Sequence, residues 1–295
     1  MPSVSVLFVT YNSADVITPA LRSVPEDVPV IVVDNASDDD TVDRVRALGF
    51  EPLCLPENIG YGAAANRGIR ADDNPFVLLL NPDIVLAEGC IDALLAAAER
   101  HPTVGLLGPN QFRDEDGVRI DHDKPISLLV PAERTGMLLS ESVQEVDFLL
   151  GSAYFIRRTA FDQIDGFDEE IFLFYEDDDF CRRLRDAGWA RALVADAFCE
   201  HAVGRSSPVT PDLVFAKNWH IAWSECYARR KHGLPEPSTW SLVQMAVKVV
   251  MHMVTGNRIK RAKAWGALSG RRAFAAGIRA QTRRIARGRL IPVVW

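Results

Sequence analysis

Cysteines are few, and their arrangement does not indicate a metal site or a disulfide framework. The five present are Cys54, Cys90, Cys181, Cys199 and Cys226, an odd number without any C-x-x-C pair. C-x-x-C pairs are typical of zinc sites, and an even set of cysteines is typical of small disulfide scaffolds. A zinc site and a disulfide scaffold are therefore both disfavoured, and a reducing cytosol is the expected setting.

Long apolar runs are also missing. None approaches the roughly 20 residues that a bilayer-spanning helix needs. The first residues, MPSVSVLFVTYN, have no basic stretch ahead of their apolar part. They are predicted to form a strand and not a signal peptide. We therefore expect a cytoplasmic protein.

Acidic residues are absent from the last part of the chain. All 40 Asp and Glu lie in residues 1–236, whereas residues 237–295 carry 12 Lys and Arg. The net charge of −7 thus combines an acidic body with a basic tail. Nucleic acid binding is not expected, because the acidic body would be repelled by phosphates.

What the sequence does contain is an alternation of short β-branched runs with helical stretches. Strands are predicted at VSVLFVT, VPVIVVDNAS, PFVLLLNPD and TVGLLGPN, and helices at residues 13–23, 39–48, 62–71 and 88–100. This pattern predicts an α/β fold with a mostly parallel sheet flanked by helices. Residues 113–147 are less regular and are predicted to be an insertion.

Ligands of such sheets bind at the carboxyl ends of the strands. Three predicted strand ends are polar here, and they carry Thr10-Tyr11-Asn12, Asp34-Asn35 and Asn81-Pro82-Asp83. We expect these three ends to face one crevice. Asp34 alone is equally compatible with an ordinary helix cap.

Two further stretches have both a functional and a structural interpretation. Gly60 and Gly62, in ENIGYGAAANRG, would let a phosphate or sugar approach backbone N–H groups, but tight helix packing needs small residues too. Asn81 and Asp83 could offer oxygens to a cation, although an Asn-Pro-Asp turn explains them as well. His201 follows a predicted strand, and a lone histidine does not define a ligand.

Four successive acids in FLFYEDDDFCRRL begin a predicted helix. At helical spacing Asp178 is predicted to pair with Arg182 and Asp179 with Arg183. Asp177 has no cation at i+3 or i+4. It is either a cap of this helix or a carboxylate that lines a cleft.

Taken together, and in this order, the motifs resemble the inverting family 2 glycosyltransferases of GT-A fold, a Rossmann-like fold for nucleotide-diphospho-sugars. The resemblance is narrower to their rhamnosyltransferase and galactofuranosyltransferase branch. It covers roughly residues 4–207. The matching segments are FVTYNS at 8–13, VVDNAS at 32–37, ENIGYGAAAN at 57–66, LLLNPD at 78–83, GSAYFIRR at 151–158, GFDEEIFLFYEDDDFCRRLRDAGW at 166–189 and HAVGRSS at 201–207.

The resemblance implies a role for each matching position. Asp177 matches the general base, and Asp83 and His201 match the metal-binding positions for Mg²⁺ or Mn²⁺. Asn81 stands where the family's first D-x-D acid is expected, so less anionic ligation is available to the metal. The implied nucleotide and donor contacts are Thr10, Tyr11, Asn12, Asp34, Asn35, Gly60, Gly62, Asn66 and Asn81.

The implied function is inverting transfer of a sugar from a nucleotide-sugar donor. The first expectation is rhamnose from dTDP-rhamnose, and otherwise the sugar of a UDP donor, onto a hydroxyl of a cell-surface glycan or a lipid-linked acceptor. A decayed transferase fold used for binding or scaffolding stays open because of Asn81. A sugar nucleotidyltransferase is less favoured, since no Gly-rich loop with Arg or Lys follows the first strand.

Residues 1–236 are predicted to be the catalytic domain, and residues 237–295 a basic helical extension. Apolar residues of the extension share one helical face and a basic cluster adjoins them: Val243, Val247, Val250, Met251 and Val254, then Lys248, Arg258, Lys260, Arg261 and Lys263. Such a helix either lies on an anionic membrane, on the inner face of the plasma membrane, or packs against the catalytic domain.

Overall fold

The structure is a computed structural model, and it describes residues 3–115, 118–121, 127, 129, 138–201, 210–282, 285–286 and 289–290. Two sequence predictions lie partly outside these residues: the HAVGRSS motif after His201, and much of the insertion at 113–147. The chain forms two compact units. The first comprises Met1–Glu57, Ala64–Phe167 and Asp177–Ser207, and the second Asn58–Ala63, Asp168–Glu176 and Pro208–Trp295.

The first half of the chain alternates strands and helices as predicted. The strands are β1 (Val4–Thr10), β2 (Val30–Asp34), β3 (Leu53–Cys54), β4 (Phe76–Leu80), β5 (Ile84–Leu86) and β6 (Val104–Glu115). The helices are α1 (Ile17–Arg22), α2 (Thr41–Ala47), α3 (Tyr61–Arg70) and α4 (Cys90–Arg100). Each predicted strand and helix of this half is therefore confirmed, with boundaries shifted by a few residues.

The middle of the chain completes the sheet. Its elements are β7 (Val118–Asp121), β8 (Leu138–Ser140), β9 (Val143–Glu145), β10 (Ala153–Arg157), α5 (Arg158–Gln163), α6 (Glu176–Asp186) and β11 (Ala190–His201). The prediction of an irregular insertion is only partly right. Within its described residues, β6 extends to Glu115 and three short strands follow.

Among the described residues, the sheet has the order β3-β2-β1-β4-β10-β6-β11-β9-β8, with β5 paired to β11 and β7 paired to β6. The strands β3, β2, β1 and β4 are parallel neighbours. Strand β10 runs antiparallel between β4 and β6, and β11 is again parallel to β6. The prediction of a mostly parallel sheet flanked by helices is confirmed.

The central strands consist mainly of apolar residues, as expected for a sheet that helices flank. All seven residues of β1 and all five of β4 are buried. The parallel register of β1 pairs Thr10 with Asp34 of β2, and Phe8 with Leu80 of β4. The polar residues that follow these strands consequently lie along one edge of the sheet, as predicted.

Helix α6 begins at Glu176, within the run of four acids, as predicted. Asp179 is fully buried and pairs with Arg183 at 2.7 Å, which confirms one of the two predicted ion pairs. The other prediction is wrong. Arg182 Nε donates at 2.9 Å to Asp186, which is also four residues away, while Asp178 accepts from Ser127 Oγ.

The second unit is mainly helical, with α7 (Pro211–Lys231), α8 (Thr239–Val254), α9 (Arg258–Ala275) and a small hairpin of β12 (Ile285–Ala286) and β13 (Arg289–Leu290). Helix α9 packs closely on α7 at two glycines. A Cβ at Gly266 would lie 2.4 Å from the Phe215 carbonyl oxygen, and one at Gly270 would lie 2.2 Å from that of Trp219. Helix α8 packs against α9.

The apolar face predicted for α8 is present and exposed. Relative exposure is 48% for Val243, 60% for Val247 and Val250, and 85% for Val254, whereas Val249 on another face is buried. Among the described residues, no helix has both the length and the apolar composition of a membrane span.

Candidate active site

The first part of the candidate site is built around Asp34, which ends β2 and is buried. Its Oδ1 accepts from Thr10 Oγ1 at 2.9 Å and from Ser37 Oγ at 2.6 Å, and its Oδ2 accepts from the Ser37 N–H at 2.9 Å. A carboxylate has about four acceptor positions, so Asp34 can take one more donor at Oδ2. It therefore fixes the turn and can still receive a ligand N–H.

Two residues beside Asp34 have left-handed backbone conformations. Asn12 has φ +50° and Ala36 has φ +65°. The Asn12 N–H donates to Ser37 Oγ at 2.9 Å, and its side-chain oxygen accepts from the Asp38 N–H at 2.8 Å. Non-glycine residues in this region are uncommon and concentrate at functional sites. The ends of β1 and β2 thus form one tightly bonded turn region.

The second part of the site is the pair Asp83 and His201. Pro82 and Asp83 occupy a turn that the Ile84 N–H closes on the Asn81 carbonyl oxygen at 3.1 Å, so the structural interpretation of Asn-Pro-Asp is correct as far as the turn goes. Strand β5 then pairs with the end of β11 and places Ile84 opposite His201. As a result, His201 Nε2 lies 3.5 Å from Asp83 Oδ1.

A hydrogen-bond chain sets the orientation of the His201 ring. Gln111 Oε1 accepts from Ser152 Oγ at 2.8 Å and lies 3.2 Å from His201 Nδ1. Because an amide oxygen only accepts, Nδ1 carries the proton, and in neutral imidazole Nε2 then presents a lone pair. A lone pair facing a carboxylate is unfavourable unless Nε2 is protonated or a cation lies beside both. This arrangement suits a cation.

The residues present fit a divalent cation with few protein ligands. Neighbouring ligands of a six-coordinate ion with bonds near 2.1 Å lie about 3 Å apart, close to the separation of Asp83 Oδ1 and His201 Nε2. Within the described part of the chain, no group of three His, Cys, Asp or Glu residues has metal-binding geometry. Further coordination would have to come from substrate oxygens and water, as is common for Mg²⁺.

The third part of the site is Asp177, the second residue of α6. Its Oδ1 accepts from the Asp178 N–H at 2.9 Å, and its Oδ2 lies 3.5 Å from the Gly151 N–H. Among the described residues, no Lys or Arg forms an ion pair with it. Desolvation, followed by the charge of Asp178, raises the pKa of Asp177 to about 6 despite these backbone bonds. A carboxylate with this pKa can exchange protons near neutral pH.

Two adjacent residues before β10 connect the second and third parts. Gly151 lies against Asp177, where an added Cβ would be 3.0 Å from the Asp177 Cβ. Ser152 is bonded to Gln111, and its carbonyl oxygen accepts from the Asn81 N–H at 2.8 Å. Sequence analysis quoted GSAYFIRR as a motif but assigned no role to these residues. The sequence gives no signal for the role of Gln111, because this residue lies in β6 and belongs to no distinctive motif.

Other predicted donor contacts lie elsewhere or have structural bonds. Asn66 is fully buried, its Nδ2 donates to the Phe167 carbonyl oxygen at 2.9 Å, and its Oδ1 accepts from the Phe167 N–H at 2.8 Å. The Tyr11 N–H donates to Ser13 Oγ at 3.2 Å. Asn35 is buried and its N–H donates to the Thr10 carbonyl oxygen at 2.8 Å. Gly60 and Gly62 belong to the second unit.

Comparison with known sequences identifies the family. The profile of "Glycosyl transferase family 2" matches residues 5–165. The chain belongs to this family. It is 30% identical over 266 residues to the N-acetylglucosaminyl-diphospho-decaprenol L-rhamnosyltransferase of Mycobacterium tuberculosis, covering 80% of this chain and 86% of that protein. A rhamnosyltransferase of Escherichia coli K12, WbbL, is 28% identical over 200 residues, covering 59% and 72%.

Solved structures of glycosyltransferases share the fold of this family 2 member. TarS residues 1–349 of S. aureus has a TM-score of 0.54 at 17% identity, covering 93% of this chain and 91% of that one. The mannosyltransferase PcManGT of Pyrobaculum calidifontis, in complex with GDP-Man and Mn²⁺, has a TM-score of 0.57 at 18% identity, covering 94% and 74%. The fold is GT-A, the similarity lies with the rhamnosyltransferase branch, and the protein is a glycosyltransferase.

Proposed function

We propose that this glycosyltransferase inverts the anomeric configuration of a nucleotide-sugar, with Asp177 as the general base. The observation that supports this most is the environment of Asp177: a desolvated carboxylate, without an ion pair to a described residue, whose pKa is raised to about 6. General-base assistance of this kind typically contributes 10²–10⁴-fold to the rate. Asp178 and Asp179 are less suited, because they bond to Ser127 and Arg183.

The proposed reaction is a single displacement at the anomeric carbon. An acceptor hydroxyl oxygen attacks that carbon from the face opposite the diphosphate, and its proton passes to the Asp177 carboxylate. The bond from the anomeric carbon to the diphosphate oxygen breaks, and the nucleoside diphosphate leaves with the electron pair. One attack from the opposite face inverts the configuration.

Asp83 and His201 are proposed to hold a divalent cation, Mg²⁺ or Mn²⁺. Such an ion, when bound, supplies positive charge to the departing diphosphate. Two of the structurally similar glycosyltransferases, PcManGT and GalNAc-T7, have Mn²⁺ in their solved complexes, which supports this assignment. The Gln111 bond orients His201, so we assign Gln111 and Ser152 the task of keeping Nε2 directed at the ion.

For the nucleotide, we propose that Thr10, Tyr11, Asn12, Asp34 and Asn35 form the pocket. The remaining acceptor position of Asp34 Oδ2 suits the N3–H of uracil or thymine, which is consistent with a dTDP or UDP donor. The similarity to L-rhamnosyltransferases favours dTDP-rhamnose. The M. tuberculosis relative is named for a decaprenol-diphosphate-linked N-acetylglucosamine acceptor, and we propose an acceptor of that class, a lipid-linked saccharide.

A lipid-linked acceptor requires the enzyme to work at a membrane surface. We propose that α8 provides the contact and attaches the protein peripherally to the inner face of the plasma membrane. Residues 237–295 contain no acid. Exposed basic residues accompany the exposed apolar face of α8: Lys248, Arg258, Lys260 and Lys263. Each basic residue near an anionic bilayer adds about 1 kcal/mol of binding free energy.

The function is tested with a defined donor and acceptor. Purified enzyme is incubated with dTDP-L-rhamnose, or with UDP-sugars, and a polyprenyl-diphosphate N-acetylglucosamine, and the product is analysed by mass spectrometry and by NMR of the anomeric centre. We expect one added sugar with inverted configuration. Retention of configuration would contradict the mechanism, and donor binding without transfer or hydrolysis would favour a binding protein.

A further inference from the structure

Four side chains form a stripe on one face of α7. Their spacing of four, three and four residues places them on successive turns of the same face. The α7 stripe consists of His220, Ser224, Tyr227 and Lys231. All four contact residues 168–176, which we call the entry segment because it leads directly into α6 and Asp177. The α7 stripe and the entry segment both belong to the second unit.

The start of the entry segment is held by two donors of the stripe. Tyr227 donates its hydroxyl to Asp168 Oδ2 at 2.9 Å, and Lys231 Nζ lies 2.6 Å from the same oxygen. Both side chains of the ion pair are partly shielded, with side-chain exposure of 26% for Lys231 and 16% for Asp168. A shielded, hydrogen-bonded ion pair holds its geometry better than an exposed one.

The middle of the entry segment is held by the other two residues of the stripe. The His220 ring stacks on the ring of Phe172, with centroids 4.7 Å apart. Ser224 Oγ donates to the Leu173 carbonyl oxygen at 3.0 Å. Each of the four stripe residues thus contacts the entry segment that precedes the proposed base.

The end of the entry segment has an unusual backbone. Phe174 has φ +64° and Tyr175 has φ +69°, two successive bulky residues in the left-handed region. Such residues persist there only when the surrounding structure holds them. Asp177 follows two residues later, so a change in this backbone would redirect the first turn of α6.

The same segment also contacts the glycine-rich turn before α3. The Tyr61 N–H donates to the Phe172 carbonyl oxygen at 3.1 Å. Gly60 has φ +95°, and a Cβ there would lie 2.5 Å from that oxygen. Phe172 therefore contacts both α7 and the turn that the family resemblance predicts to be a donor contact.

Residues near the end of the chain support the entry segment as well. Arg279 Nε lies 3.1 Å from Glu170 Oε2, and Gln281 Nε2 donates to the Glu169 carbonyl oxygen at 2.6 Å. Both residues come from the region that the sequence pattern assigned to a separate extension. Within the second unit, the entry segment is thus held both by α7 and by residues 279–281.

We propose that the α7 stripe is a set of positioning residues, which fix the entry segment and thereby the orientation of the Asp177 carboxylate toward the acceptor hydroxyl. This inference rests on the proposed role of Asp177. It goes beyond that role because it assigns a task in catalysis to a helix outside the sheet. A displacement of about 1 Å at a reacting group can cost up to 10²-fold in rate.

The stripe also affects how strongly Asp177 is desolvated. The groups that face its carboxyl are Asp178 and Cys181 on α6, Tyr154 on β10 and the Gly151 N–H. If the entry segment loosens, the first turn of α6 is free to shift and the Asp177 carboxyl moves away from the groups that now shield it, so its pKa falls from about 6 toward the ordinary value of an aspartate. The acid limb of the pH–rate profile then moves to lower pH.

The test uses Tyr227→Phe and Ser224→Ala, which remove one hydroxyl each. The control is Asn218→Ala, because the Asn218 amide bonds within α7, to the Val214 carbonyl oxygen. We expect kcat to fall at least about tenfold in both stripe variants, the KM for the donor to stay within about twofold, and the acid limb to move to lower pH. Hydrogen exchange of the peptide covering residues 168–176 should increase, and the control should match wild type.

Two results would overturn the inference. One is faster exchange in residues 168–176 with kcat and the acid limb unchanged, since the stripe would then anchor the segment without positioning the base. The other is a lower Tm with a proportional loss of active enzyme and an unmoved pH profile. Asp177→Asn is measured alongside: if it is inactive while the stripe variants are normal, only the positioning role fails, and if it is active, the proposed base fails.

Discussion

Asp83 Oδ1 lies 3.5 Å from His201 Nε2, and the Gln111 bond at Nδ1 leaves Nε2 to face the carboxylate. From this relationship we expect Asp83→Asn and His201→Gln each to weaken Mn²⁺ binding tenfold or more, because the pair supplies the ligands found among the described residues. The measurement is a Mn²⁺ titration by calorimetry, with dTDP or UDP present.

The matched control for the metal is Asp92→Asn, an exposed acid on α4 that should leave Mn²⁺ binding unchanged. Asn81→Asp should tighten Mn²⁺ binding, because it restores a carboxylate at the family's first D-x-D position. Full transfer activity of the wild type in excess EDTA would refute a metal role and leave Asp83 and His201 as a hydrogen-bonding pair.

The raised pKa of Asp177 predicts a specific pH dependence. A base must be ionised to accept a proton, so kcat/KM should fall about tenfold per pH unit below about 6. Asp178→Asn removes a negative charge that raises this pKa, and the acid limb should therefore move to lower pH. Rates measured from pH 4.5 to 8 check both statements. A flat profile, or a limb unaffected by Asp178→Asn, would count against the assignment.

Asn66 was predicted from the resemblance to be a donor contact, and its buried amide bonds predict a different result. Asn66→Ala should lower the free energy of unfolding by about 1–3 kcal/mol, because two backbone groups of Phe167 lose their partner. The KM for the donor should change little. Urea unfolding and steady-state kinetics test this, with Asn110→Ala, a single exposed amide bond, as control. A large rise in KM at unchanged stability would restore the donor role.

The fold could be predicted from sequence because its signals are local. Buried parallel strands such as β1 consist mainly of apolar residues, and the polar residues at their ends mark the binding edge. The pairing of Asp83 with His201 follows from strand β5 meeting β11, and a contact between residues 118 positions apart has no local signal. The resemblance, and not the spacing, brought these two residues together in advance.

The second unit could not be predicted for the same reason. Sequence patterns divide the chain at a change in charge, near residue 236, whereas the structure groups residues by contact. Residues 58–63 and 168–176 join the C-terminal helices through the α7 stripe and Phe172. The stripe has a helical spacing, but it combines His, Ser, Tyr and Lys and therefore matches neither an apolar nor a charged pattern.

The exposed face of α8 predicts binding to anionic membranes. The full chain should sediment with vesicles that contain anionic lipid and be released as the salt concentration rises. Val247→Asp combined with Val250→Asp should abolish this binding, because charge would enter the apolar layer. Point variants are preferred to truncation after residue 236, since α9 packs on α7.

The control for α8 is Met253→Asp, an exposed position outside the face formed by Val243, Val247, Val250, Met251 and Val254. It should retain most of the vesicle binding. Equal sedimentation of all variants would refute the membrane role. Conversion of a dimer to a monomer by the double variant, without any vesicle binding by the wild type, would show that a second copy of the chain covers this face.

The central claim is tested most directly by the turnover of Asp177→Asn in the transfer assay, measured beside Asp178→Asn and with donor affinity determined for each. The amide keeps the shape of Asp177 but cannot take the acceptor proton, so we expect turnover to fall by 10²–10⁴-fold with donor affinity nearly unchanged. Asp178→Asn should retain most of its turnover at pH 7.5. Turnover above about a tenth of wild type in Asp177→Asn would contradict the account, because no general base of that strength could have been removed.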